Sequence, residues 1–201
     1  MRHFALAALL AIGSLSVSLP VLAEGVDGGT LPDYKRSRLQ LYLTPAEAHE
    51  IMGREPARTL FLDVRTRAEA MYVGMPTDAD ALVPYVEHQE LMTDWDERRH
   101  MYQLEPNSDF IQEAEIRLKE KRLGKTDRVI LICRSGDRSA RAADLLANAG
   151  FTRVYSIAEG FEGDSAKDGP KAGQRIVNGW KNAGLPWTYK LVKARMYFPS
   201  L

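Results

Sequence analysis

Apolar positions in this chain follow two rhythms. Thr59-Leu60-Phe61-Leu62-Asp63-Val64 and Val129-Ile130-Leu131-Ile132-Cys133 are nearly continuous apolar runs, the pattern of strands buried on both faces. Arg153-Val154-Tyr155-Ser156-Ile157 reads as a third core strand, and Leu39-Gln40-Leu41-Tyr42-Leu43 alternates as a short one. Helical spacing fills the gaps. Thr44-Pro45-Ala46-Glu47 is a capping box with proline at the first helical position, opening a helix that stops at Gly53. A second box, Thr66-Arg67-Ala68-Glu69, starts a short helix directly after the second strand. Phe110, Ile111, Ala114 and Leu118 carry a helix over 109–122, and the Ala/Leu-rich stretch 139–149 carries another, stopped by Gly150. A last helix is predicted over 173–183, ending at Gly184. Residues 74–108 hold Pro76, Pro84 and Pro106, lack a clear period, and read as a long connection with short local structure.

Apolar strands alternating with amphipathic helices predict an α/β domain whose parallel sheet is covered on both faces. Ligands in such folds sit at the carboxyl ends of the strands. Cys133 falls at one such end, and Asp63 and Arg65 at or just past another.

The 201 residues suit one such domain with tails. Basic and acidic residues balance at 27 each, so the chain lacks the cationic footprint of a nucleic-acid binder. Arg2 and His3 precede an uncharged run, 4–23, that closes on Val21-Leu22-Ala23. A basic start, an apolar centre and small residues at the end describe a secretory signal peptide over 1–23. The expected protein is therefore periplasmic or secreted, with no stable membrane span after processing. Residues 24–38 read as a flexible lead-in, 39–188 as the domain and 189–201 as a solvated C-terminal tail. Trp180 and Trp187 read as packing residues.

Cys133 is the only cysteine. In an oxidising compartment an unpaired thiol is exposed to mixed disulfides and over-oxidation, so its retention calls for a purpose. A lone cysteine is ordinarily a small buried hydrophobe. Here, however, it opens Cys133-Arg134-Ser135-Gly136-Asp137-Arg138-Ser139, between a buried strand and a helix. Backbone N–H groups in such a loop form an anion-binding nest, to which the helix adds its positive end. Arg134 and Arg138 add two permanent charges, and Gly136 allows the loop to curl. This setting favours the thiolate.

The loop resembles the active-site loop of rhodanese-like sulfurtransferases. Leu62-Asp63-Val64-Arg65 is similar to that family's Asp-Val-Arg strand end, and Glu69 follows on a short helix. The resemblance covers roughly residues 39–186 and implies a three-layer α/β/α fold with a central parallel sheet. It also implies that Cys133 carries a sulfane sulfur as a persulfide within the loop Arg134, Ser135, Gly136, Asp137, Arg138 and Ser139. Arg134 and Arg138 match positions that hold an anionic donor such as thiosulfate, Arg65 a position near the pocket mouth, and Asp63 one that orders it. Two departures stand out. Val73-Gly74-Met75-Pro76-Thr77 replaces the family's Gly-His-Ile-Pro-Gly, and a segment around 80–108, with Trp95, His100 and Tyr102, looks like an insertion.

The expected activity is thus sulfur transfer from a small anionic donor to a thiol, to cyanide or to an exported protein acceptor, without a cofactor. The histidines show no metal-ligand spacing, so no metal is expected. Cysteine phosphatases place their arginine six positions after the cysteine, whereas Arg138 is five after Cys133. The remaining alternative is a module that carries a persulfide, or docks to an exported partner, without turnover.

Overall fold

The computed structural model describes residues 25–199. The expected signal peptide, 1–23, lies outside the described residues. In chain order the elements are β1 (Tyr42–Leu43), α1 (Pro45–Arg54), β2 (Thr59–Asp63), α2 (Arg67–Val73), β3 (Met75–Pro76) and β4 (Ala81–Leu82). There follow β5 (Val86–His88), β6 (Trp95–Asp96), β7 (Met101–Tyr102), β8 (Leu104–Pro106) and α3 (Phe110–Glu120). The chain continues through β9 (Arg128–Ile132), α4 (Asp137–Asn148), β10 (Val154–Ile157) and β11 (Trp187–Thr188). Strands β1, β10, β9, β2 and β4 form one sheet in that order, and every pairing in it is parallel.

The apolar runs are apolar because both faces of the sheet are covered. Leu60, Leu62, Val129 and Leu131 pack against Phe110, Ala114 and Leu118 of α3 and Ala142, Ala143 and Leu146 of α4. The alternate residues Phe61, Ile130 and Ile132 pack against Ala48 and Ile51 of α1, Ala70 of α2, and Trp180. This is the expected three-layer arrangement. Both capping boxes form, with Thr44 bonded reciprocally to Glu47 and Thr66 to Glu69. The strand expected over 39–43 shrinks to two residues, and α4 begins two residues early, at Asp137.

Three expectations need correction. No helix forms over 173–183. Gly173 and Gly179 take φ of +85° and +99°, outside the helical region, and a side chain at 179 would strike the backbone at Gly163. That stretch winds as turns around Trp180, whose indole N–H donates to the Pro186 carbonyl. The connection 74–108 holds short local structure as expected: β3 pairs with β11, β4 is an edge strand of the main sheet, and 86–106 form an arm with β5 antiparallel to β8 and β6 to β7. Residues 25–38, read as a flexible lead-in, are docked. Lys35 is buried and its ammonium bonds both carboxylate oxygens of Asp164 at 2.8 and 2.9 Å. Finally, part of the expected tail lies on the domain. Arg117 donates to the carbonyls of Ala194 and Met196, and buried Tyr197 donates to Asp109.

Candidate active site

Cys133 follows β9 directly and is buried. Its Sγ accepts the Gly136 N–H at 3.1 Å and lies 3.4 Å from the Ser139 hydroxyl. The curl is possible because Gly136 sits at φ +94°, ψ −19°, a left-handed conformation in the residue preceding α4. The carbonyls of Cys133 and Arg134 are occupied by the segment after β10. Phe161 N–H donates to Cys133 O at 2.8 Å, and Glu162 and Gly163 donate to Arg134 O at 2.9 and 3.2 Å. The segment after β10 therefore straps the back of the loop, leaving the Gly136 N–H to face the sulfur.

Beneath the sulfur lies a hydroxyl pair that sequence reading missed in part. Ser139 Oγ is 2.8 Å from Ser156 Oγ on β10, and both residues are fully buried. Ser139 has one proton to give, to Sγ, to Gly136 O or to Ser156 Oγ, and either serine can donate across the pair. Ser156 stood in the sequence as a polar residue inside an apolar strand, which was the available signal.

Two of the site's arginines are paired with carboxylates. Arg65, just past β2, has no exposed surface; its Nε bonds Asp63 at 2.9 Å and its Nη2 bonds Asp63 at 2.5 Å and the Gly74 carbonyl at 2.7 Å. Its guanidinium lies 4.0 Å over the Phe161 ring. Burial works against the charge, but Asp63 more than restores it, and Arg65 holds its proton above the ordinary arginine range. Arg138, expected to face the donor, is clasped by Glu69, with Nη1 and Nη2 on the two carboxylate oxygens at 2.7 and 2.6 Å, and it lines the cleft beside the loop. Asp137 pairs with Arg141 one turn along α4 at 2.9 Å. Ser135 and Arg134 are half-buried. Two buried guanidinium nitrogens of the site, Arg65 Nη1 and Arg134 Nε, have no protein acceptor.

The capping box of α2 thus has a second task. One Glu69 oxygen closes the box on Thr66, and the same carboxylate grips Arg138 of the loop helix. Burial pushes the Glu69 carboxyl up, but the Arg138 bonds and charge outweigh it and hold it at about 2, below its ordinary 4.5. A group that binds its proton less tightly when folded contributes stability above its unfolded value and loses it as pH falls towards the folded one. The difference in urea midpoint between the native chain and Glu69→Gln is therefore expected to be full above pH 4.5 and to vanish near pH 2. It should correspond to at most about 3 kcal/mol. A difference that stayed constant through that window would show that the ion pair is not its source.

The arm leans towards this loop. Arg67 holds it through Glu87 at 2.6 Å, and Asn107 bonds the Pro84 carbonyl at its base. Between arm and loop lies a cleft of about 450 Å³, lined on one side by Arg99, Met101 and Tyr102 and on the other by Arg134, Arg138 and Arg141. No cluster of His, Cys, Asp or Glu suited to a metal occurs among the described residues.

Residues 44–167 match the model of the rhodanese-like domain. An uncharacterised protein of Rickettsia prowazekii (strain Madrid E) is 38% identical over 61 residues, which are 30% of this chain and 42% of that relative's length. The crystal structure of Rv0390 from M. tuberculosis aligns over 73% of this chain and 96% of its own, at 29% identity and a TM-score of 0.52. A solution structure of a polysulfide-sulfur transferase homodimer from Wolinella succinogenes aligns over 74% and 77%, at 19% identity and a TM-score of 0.43. With its parallel five-stranded sheet, its cysteine loop at the strand ends and a family match spanning more than half its length, this chain belongs to the rhodanese-like domain family.

Proposed function

We propose that this protein is a sulfurtransferase that moves a sulfane sulfur from thiosulfate, or a similar anionic donor, to a thiophilic acceptor through a Cys133 persulfide. The observation that carries this reading is the surroundings of Cys133 Sγ: a backbone N–H at 3.1 Å and a buried hydroxyl at 3.4 Å, in a loop bearing arginines. Both groups stabilise negative charge on sulfur. Arg134 lines the cleft beside the loop, and its Nε has no protein acceptor, so it is a donor that an anionic substrate would satisfy. In the first half-reaction the thiolate attacks the outer sulfur of thiosulfate, the sulfur–sulfur bond of the donor breaks, and sulfite leaves with its electron pair. In the second, cyanide takes that sulfur as thiocyanate, or a thiol takes it as a persulfide, and the Cys133 thiolate returns. The uncharged run before Glu24 supports action after export.

Incubation with thiosulfate is expected to raise the intact mass by one sulfur, about 32 Da, and cyanide to remove it, as a single covalent carrier requires. Cys133→Ser should never acquire the increment. A native protein that stayed at its unmodified mass would overturn the reading.

A further inference from the structure

The cleft between the arm and the loop is built for more than a small oxyanion. Its volume of about 450 Å³ falls in the range of small-molecule sites. Four guanidinium groups, of Arg99, Arg134, Arg138 and Arg141, line it. Three of them have a carboxylate partner: Arg138 with Glu69, Arg141 with Asp137 and Arg99 with Asp96. Among the described residues Arg134 has no carboxylate partner, and it follows Cys133 directly in the chain, so the cleft's surplus charge is carried by the loop that holds the sulfur. Met101 and Tyr102 of the arm supply an apolar wall opposite.

We propose that this cleft is the acceptor subsite, and that it selects a small thiol carrying carboxylate groups. The inference rests on the sulfurtransferase reading above. Arg134 engages the carboxylate nearest the thiol, while Arg99 and Arg141 reach one further out. The latter two side chains are 43% and 48% exposed, and ion pairs so exposed are held weakly, so they can exchange Asp96 and Asp137 for a ligand carboxylate. The acceptor thiolate attacks the outer sulfur of the Cys133 persulfide. The new sulfur–sulfur bond forms on the acceptor, the bond to Cys133 breaks, and Cys133 leaves as thiolate. The acceptor departs as a persulfide, so no outside oxidant or reductant is needed.

The test compares acceptors of similar size and different charge, with thiosulfate as donor. Mercaptosuccinate, a dicarboxylate, is expected to exceed neutral 2-mercaptoethanol in kcat/KM, with cationic cysteamine poorest. In Arg99→Gln/Arg141→Gln the ratio of mercaptosuccinate to 2-mercaptoethanol should fall by about tenfold, chiefly through KM. Both side chains are substantially exposed, and a single-residue version of each change gives the same comparison if the pair folds poorly. Equal use of all three thiols, or an unchanged ratio in the variants, would overturn the subsite while cyanide turnover left the sulfurtransferase reading standing. A protein that took up no sulfur from thiosulfate would overturn both.

Discussion

Gly136→Ala is expected to cost roughly 3–5 kcal/mol, or folding itself, for the addition of one methyl group. The residue sits at φ +94°, where an L side chain is strained, and its Cβ would lie 2.1 Å from the carbonyl oxygen of Ala158. That obstacle is backbone at the end of β10, so no flexible side chain can swing aside. Relief would require the loop to lift away from the strap, which would withdraw the Gly136 N–H from Cys133 Sγ. Sulfur uptake should therefore fail along with stability. Gly169→Ala is the matched comparison. Its φ of +78° is equally unfavourable, yet nothing lies within 4 Å of the added methyl, so only the conformational cost of about 1–2 kcal/mol remains. Urea denaturation of the two variants measures the difference. Equal midpoints would show that the close approach to Ala158 is unimportant.

Asp63→Ala is expected to destabilise the chain by about 3–5 kcal/mol, because it leaves a buried guanidinium without its counter-charge. Asp63 and Arg65 both have no exposed surface, and the carboxylate bonds the Arg65 backbone N–H as well as its side chain. The Gly74 carbonyl would remain as a partner, but a neutral oxygen cannot offset a buried charge. Replacing both members, as in Asp63→Leu/Arg65→Met, should recover much of the loss, since two apolar groups need no solvation. A loss below about 1 kcal/mol in the single variant would mean that water reaches Arg65.

The elements read well from the sequence are those whose cause is local. Both capping boxes announced their helices, and β2 and β9 were apolar throughout because both faces are covered. The failures have non-local causes. Residues 173–183 read as a helix ending at Gly184, yet Gly173 and Gly179 adopt positive φ, and at Gly179 the chain passes too close to Gly163 for a side chain. Strand β4 has two residues and owes its existence to the edge of β2. At the site, the cysteine loop and the Asp63–Arg65 pair were visible as motifs. The pairing of Arg138 with Glu69 was not, because it joins residues on different helices. Glu69 advertised only its capping role. Lys35 gave no sign of burial, since its partner Asp164 lies at the far end of the domain.

Strand order carries a consequence for the way the molecule comes into being. Strand β1 is among the first elements of the chain, yet its pairing within the sheet is with β10, Tyr42 facing Ser156 and Leu43 facing Ile157. The sheet therefore cannot close until the chain has been made almost to the end of the domain. The strap behind the cysteine loop follows β10, so the sulfur's surroundings are completed only after the last strand of the main sheet. A topology dominated by such distant pairings folds slowly. A growing chain would thus leave its early apolar strands uncovered, and Cys133 once made, until residues 154–163 emerge to pair β1 and close the loop.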